Sequence, residues 1–221
     1  MTRIVIKCGG AVAASAAGTI RALAAGTQAC VVHGAGPQIS AEMERRGLPV
    51  EFVGGRRVTS RAALAVVRES LAGVNGELCG ALGPRAVGLM GDEIGLRALP
   101  VPELGLVGDP LPCRPPAVEA VLDARLVPVV APLAEGPLNV NADEMAAALA
   151  AGLGAERIFF LTDVPGLLRA GEVVTAIPAD EAEDLLLSGE LDGGILPKLR
   201  AAVTAARLGV TASIGETAVT S

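Results

Sequence analysis

Along this chain, apolar runs of strand length alternate with stretches whose apolar residues return every three or four positions. "RIVIKC" (3–8), "QACVVH" (28–33), "RAVGLM" (85–90), "RLVPVVAP" (125–132) and "RIFFLT" (157–162) are near-continuous apolar runs, the pattern of strands covered on both faces. "VTASI" (210–214) is a weaker sixth. Between them, the longest helix is expected to start at Ser60, a good N-cap, with Leu64, Val67, Leu71, Val74 and Leu78 on one face. "NADEMAAALAAGLG" predicts a second helix with Met145, Leu149 and Leu153 on one face, and "ILPKLRAAVTAARLG" a third ending at Gly209. Such alternation implies an α/β protein with a mostly parallel central sheet and helices on both sides. The Pro- and Gly-rich stretch 95–116 breaks the rhythm and reads as a β-hairpin or two, placed to cover a site.

Composition narrows the classes of partner. At 221 residues the chain suits one domain, or one domain in two lobes. Hydrophobic residues make up 51% but aromatics only 1%, so the core must be built from Ala, Val, Leu and Ile. A net charge of −6 argues against a nucleic-acid groove, yet a local cluster of cations and amides can still hold a small anion. Four cysteines without a CxxC pair and a single histidine give no metal site of ordinary spacing. No charge-free apolar stretch is long enough to span a bilayer, and "KCGG" interrupts the first apolar run, so no signal peptide or membrane association is expected and the cytoplasm is the expected compartment.

Chemistry gathers at strand ends, where ligands of α/β sheets sit. "KCGGA" puts Lys7 at the end of the first strand, followed by Gly9 and Gly10; a buried lysine there calls for an anion. "HGAGPQ" follows the second strand and "LTDVPG" the fifth, and glycines let a backbone approach phosphate closely. No P-loop motif exists, and Ile39 occupies the third glycine position of a dinucleotide fingerprint. In "GGRRVT" an arginine can fork onto a carboxylate; Arg56 reads as a solvated basic turn. "NVNADE" brings Asn139 and Asn141 to one side of an extended piece, with Asp143 at the next helix start; N-capping by Asn141 or Asp143 would also explain these residues. "GGILPK" places Lys198 in the first turns of a helix, against the dipole, where a nearby anion or plain solvation would account for it. His33 reads as structural.

Taken in order, "IKCGGAV", "VVHGAGPQI", "GGRRVT", "ELGLVGD", "PLNVNADEMAAALAAGLGAERIFFLTDVPGLL" and "GGILPKLRAA" resemble the amino-acid kinase family over nearly the whole chain. The resemblance implies the carbamate kinase-like three-layer α/β/α fold as a single domain over 1–221, with an acceptor-binding lobe (1–134) and a nucleotide-binding lobe (135–221). It implies a phosphotransferase using ATP with Mg²⁺. "NVNAD" and "GRRVT" favour N-acetyl-L-glutamate as the small-molecule acceptor, phosphorylated on its γ-carboxylate as in arginine biosynthesis. By the same resemblance, Lys7 and Lys198 would neutralise the transferring phosphoryl group, with Asp143 holding both. Ala35, Gly36, Arg57 and Asn139 would bind the acceptor, Arg57 through its α-carboxylate. Gly9, Gly10, Thr162, Asp163, Gly166, Gly193 and Gly194 would border the phosphates and nucleotide. No protein-bound metal is expected. The short C-terminal stretch puts the adenine side of the site in question, and the start close to the first strand suggests an arginine-insensitive homodimer with the long helix at its interface. Competing readings are a kinase for carrier-protein-linked aminoadipate or glutamate, and a non-catalytic ligand-binding relative.

Overall fold

The computed structural model describes residues 1–10, 15–162, 164–169, 171–189, 191 and 194–221. One eight-stranded sheet runs through the molecule. Its strands are β1 (Arg3–Cys8), β2 (Gln28–His33), β3 (Ala86–Met90), β4 (Val127–Ala131), β5 (Arg157–Phe160), β6 (Ala176–Pro178), β7 (Thr211–Ile214) and β8 (Thr217–Thr220). They lie in the order β6-β8-β7-β5-β1-β2-β4-β3. All neighbours are parallel except β7 and β8, which form a hairpin. All five strong apolar runs are strands, β1 and β2 over their full expected length and β3, β4 and β5 with trimmed ends. The weaker sixth is β7, which turns at Gly215 into β8; "TAVT" and "AIP" were too short to announce β8 and β6.

The helices are α1 (Ala17–Ala24), α2 (Gly36–Arg45), α3 (Arg61–Leu82), α4 (Pro116–Asp123), α5 (Ala142–Leu153), α6 (Ala179–Ser188) and α7 (Ile195–Arg207). Side chains alternate across the sheet, so the strands feed two cores. Ile4, Ile6, Val31 and Val129 pack with α1, α2 and α3 on one face. Val5, Val32, Val130 and Ile158 pack with α4, α5, α6 and α7 on the other. Ser60 Oγ accepts from the Ala63 amide at 3.2 Å and starts α3, whose Leu64, Val67, Leu71, Val74 and Leu78 are buried. With so few aromatics the packing relies on small side chains: α5 and α7 each bury at least four alanines, which lets helices lie close together.

Two short ribbons stand at the carboxyl end of β1 and β2. Phe52–Val53 pairs antiparallel with Arg56–Arg57 through a Gly54–Gly55 turn, both glycines at positive φ as such tight turns require. Ala98–Pro100 pairs with Gly108–Pro110, the hairpin expected in the Pro-rich stretch. It is stitched to its surroundings by backbone bonds: Thr59 N donates to Leu104 O (2.9 Å), Leu106 N to Thr59 O (2.8 Å) and Asn139 N to Leu106 O (2.9 Å). No helix among the described residues is long and apolar enough to cross a membrane.

Candidate active site

β1 is the central strand, paired with β2 on one side and β5 on the other, so its last residues open at the middle of the sheet edge. A cavity of about 270 Å³ lies there. Lys7, Gly9, Gly10, Ala35, Gly36, Arg57, Asn139 and Asp143 all line it, together with Phe52, Arg56, Val107 and Asn141. Eight of the residues expected to form the site thus converge from four segments far apart in sequence. Gly10 has to be glycine: a Cβ there would fall 2.6 Å from Gln38 Oε1 and 2.7 Å from both Ala35 Cα and Gly34 O. Gln38 Nε2 donates to Gly10 O at 3.0 Å and fixes that turn.

Lys7 and Asp143 are both buried, and Lys7 Nζ stands 2.8 Å from Asp143 Oδ1. At this distance the two form a buried ion pair, each supplying the other's counter-charge. The capping question resolves in favour of Asn141, whose side-chain oxygen accepts from the amides of Asp143 (2.9 Å) and Glu144 (3.2 Å). Asp143 is thereby released from capping and faces the lysine.

Arg57 is the other buried cation. It donates to Ser40 Oγ (2.8 Å) and Gly36 O (3.2 Å), touches Met43 Sδ at 3.4 Å, and lies under the Phe52 ring with its carbon 4.6 Å from the ring centroid. No carboxylate among the described residues lies within ion-pair distance of it. Burial pulls its pKa below the ordinary value, and a guanidinium still remains charged. Phe52 was not singled out in the sequence; its signal was its place opposite Arg57 in a ribbon closed by "GG". Asn139 is held by donating through Nδ2 to Thr59 Oγ1 at 3.0 Å.

Arg56 departs from the expected solvated turn. It pairs with Asp109 of the hairpin and with Glu144 of α5, its Nη2 standing 3.0 Å from Glu144 Oε2. The cause is strand alternation: Arg57 faces α2, so Arg56 faces the opposite way, where these carboxylates lie.

The remaining expected residues sit elsewhere. Lys198 is on the first turns of α7, half-buried, with Nζ 3.3 Å from Gly194 O; the ion pair described for Asp143 is with Lys7, not Lys198. This helix start meets the cavity rim, since a Cβ on Gly55 would stand 3.8 Å from Pro197 Cγ. Thr162 lines a second cavity of about 310 Å³, with Ser15, Thr19, Phe159 and Ser213. Gly166 packs against the β7–β8 hairpin, where a Cβ would fall 2.5 Å from Thr217 Oγ1. Gly194 is exposed. Asp163 and Gly193 lie outside the described residues.

His33 is buried. Its Nε2 faces Asn75 Nδ2 at 3.0 Å and its Nδ1 faces Gly34 O at 3.3 Å, an arrangement that suits a neutral ring donating through Nδ1. Burial lowers its pKa to about 4, so it is a structural group, as expected. Burial raises the Cys8 thiol to about 11 and Cys30 to about 12, which removes both as nucleophiles. Among the described residues no cluster of three His, Cys, Asp or Glu could hold a metal ion.

Residues 2–215 match the sequence model of the amino acid kinase family. A protein named acetylglutamate kinase from Rubrobacter xylanophilus is 44% identical over 97% of this chain and 88% of its own. One of the same name from Geobacillus kaustophilus is 38% identical over 91% and 84%. The crystal structure of smu.665 from Streptococcus mutans UA159 superposes with a TM-score of 0.88 at 30% identity, covering 99% of this chain and 98% of that one. A carbamate kinase from Giardia lamblia bound to AMP-PNP has the same fold, with a TM-score of 0.74 at 15% identity over 99% and 98% of the two chains. With a family match across almost its whole length and relatives of this similarity, the chain belongs to the amino acid kinase family.

Proposed function

We propose that this protein is an acetylglutamate kinase, transferring the γ-phosphoryl group of ATP to the γ-carboxylate of N-acetyl-L-glutamate in arginine biosynthesis. The names of its relatives support the reaction. The observation that carries the acceptor is Arg57: a buried guanidinium, in the same cavity as the Lys7–Asp143 pair, with only neutral described partners. A buried cation without a counter-charge is costly, and an arriving carboxylate relieves that cost. Arg57 binds the acceptor α-carboxylate, while Ala35, Gly36 and Asn139 line the rest of the acceptor.

The chemistry fits a site with no general base. The acceptor γ-carboxylate, with a reference pKa near 4.3, is already ionised at neutral pH. One of its oxygens forms a bond to the γ-phosphorus, the β–γ bridging P–O bond breaks, ADP leaves, and no proton moves. The obstacle is repulsion between two anions, and fixed cations and amides lower it. Lys7 neutralises the transferring group from the strand side, with Gly9 and Gly10 offering backbone N–H groups. Lys198 does so from α7, whose first turn meets the cavity rim, with Asp143 holding both lysines. Thr162, Asp163, Gly166, Gly193 and Gly194 border the nucleotide. Mg²⁺, held on the oxygens of ATP, would supply further charge neutralisation. The division at 134/135 into acceptor and nucleotide lobes is part of this reading.

The enzyme acts in the cytoplasm as a homodimer. Four unpaired thiols suit a reducing compartment. For the dimer, support comes from the outer face of α3, where Ala62, Ala65, Ala72, Gly73 and Gly76 are exposed beside the edge strand β3. Light scattering checks it, a monomer mass being the contrary result. The reaction is tested by trapping the acyl phosphate as a hydroxamate with ATP, Mg²⁺ and a panel of acyl-amino acids. N-Acetyl-L-glutamate is expected to be the best acceptor, and no hydroxamate from it would overturn the assignment.

A further inference from the structure

We propose that Arg56, through its ion pairs to Asp109 and Glu144, is the positioning residue that fastens three elements around the acceptor cavity. This rests on the acceptor reading above. The three elements are the Phe52–Arg57 ribbon, the Ala98–Pro110 hairpin and the first turn of α5. Each carries a residue of the site at close range to the clamp. Arg57 is the next residue on the ribbon, Asp143 precedes Glu144, and Val107, two residues before Asp109, bridges to Asn139. Arg56 is three-quarters buried and Glu144 more so, which makes the pair less screened than a surface one. The neighbouring arginines divide the labour: Arg57 has only neutral described partners beside the cavity, and Arg56 spends its fork on carboxylates that hold the walls.

The clamp also sets the local field. Without Arg56, which lines the acceptor cavity, Glu144 and Asp109 behind it would lose their shared cation, and Glu144 would keep only the weaker influence of Arg200, next to a cavity that must admit a dicarboxylate. Arg56 therefore acts on acceptor binding more than on the transfer step, and its effect runs through Glu144.

The test uses the full-length enzyme and the hydroxamate assay. Arg56→Ala is expected to raise KM for N-acetyl-L-glutamate about tenfold with kcat changed less than about threefold, an effect of misplaced walls and lost charge balance. Arg56→Lys, which keeps the charge but not the fork, should recover part of the loss. Arg56→Ala combined with Glu144→Gln should recover most of it, whereas a role in packing alone predicts no recovery. An unchanged KM in Arg56→Ala, or a double variant no better than the single, overturns the proposal while leaving the kinase reading intact. If the wild-type enzyme forms no hydroxamate, hydrogen exchange without ligand decides. Faster exchange at the Leu106 and Asn139 amides in Arg56→Ala then supports the clamp, and unchanged exchange defeats it.

Discussion

The two sides of the cavity are built from different materials. On the β1 side, Lys7 ends the central strand of the sheet, Asp143 is presented by a capped helix, and both are sealed from water. On the α7 side, Lys198 stands half-buried in the first turns of its helix, with Nζ 3.3 Å from Gly194 O. The first arrangement is fixed before any ligand arrives. The second, in the function proposed above, meets its counter-charge only when the reactants bind. The contrast separates preorganised charge, which is held by the fold and contributes to stability, from charge recruited by the reactants.

That difference can be broken experimentally. Lys7→Ala is expected to lower kcat by about 10²–10³, the scale of losing one fixed charge-stabilising group, in a hydroxamate assay at saturating substrates. It also leaves Asp143 buried without its counter-charge, so urea melts should show a loss of about 3 kcal/mol. Arg57→Ala should raise KM for the acceptor with kcat nearly unchanged. Its stability loss should be smaller than that of Lys7→Ala, because no carboxylate is orphaned. Lys198→Ala should reduce kcat by about tenfold or more while costing less stability than Lys7→Ala, because Lys198 is only half-buried. Equal destabilisation by Lys7→Ala and Lys198→Ala would erase the distinction.

The mildest effect concerns pH. The folded pKa of His33 is about 4, below its ordinary value of 6.5, because burial disfavours the charged ring. Above pH 6.5 neither folded nor unfolded chains carry the proton, so His33 contributes no pH dependence there. As pH falls from 6.5 toward 4, the unfolded chain takes it up first, and stability drops by at most about 1.4 kcal/mol per pH unit. Urea midpoints measured across that window, against a His33→Gln variant with a shallower slope, check this.

Much of the architecture was legible because parallel strands covered on both faces are simply apolar, and because Ser60 announces the start of α3. β6 and β8 were not, since strands of three or four residues carry little pattern. The site was legible where a costly residue sits in an apolar context. Lys7 at the end of "RIVIK" demanded an anion, and Asp143 supplies one. Arg56 was misread because its partners lie 53 and 88 residues away. Neither pairing has a local signal, whereas the two-residue alternation that sends Arg56 and Arg57 to opposite sides does. Phe52 was missed for a similar reason: its role depends on the ribbon register, which the "GG" turn fixes but does not advertise.

The central claim is that Arg57 holds its place for the acceptor's α-carboxylate. It is tested most directly by titrating wild type and Arg57→Ala with N-acetyl-L-glutamate and with its α-carboxamide, using isothermal calorimetry in the presence of a non-hydrolysable ATP analogue. The wild-type enzyme should prefer the acid about 100-fold, as a buried charged pairing implies, and Arg57→Ala should bind the two about equally. If Arg57→Ala retained the full preference for the acid, the carboxylate would be recognised elsewhere and the account would be contradicted.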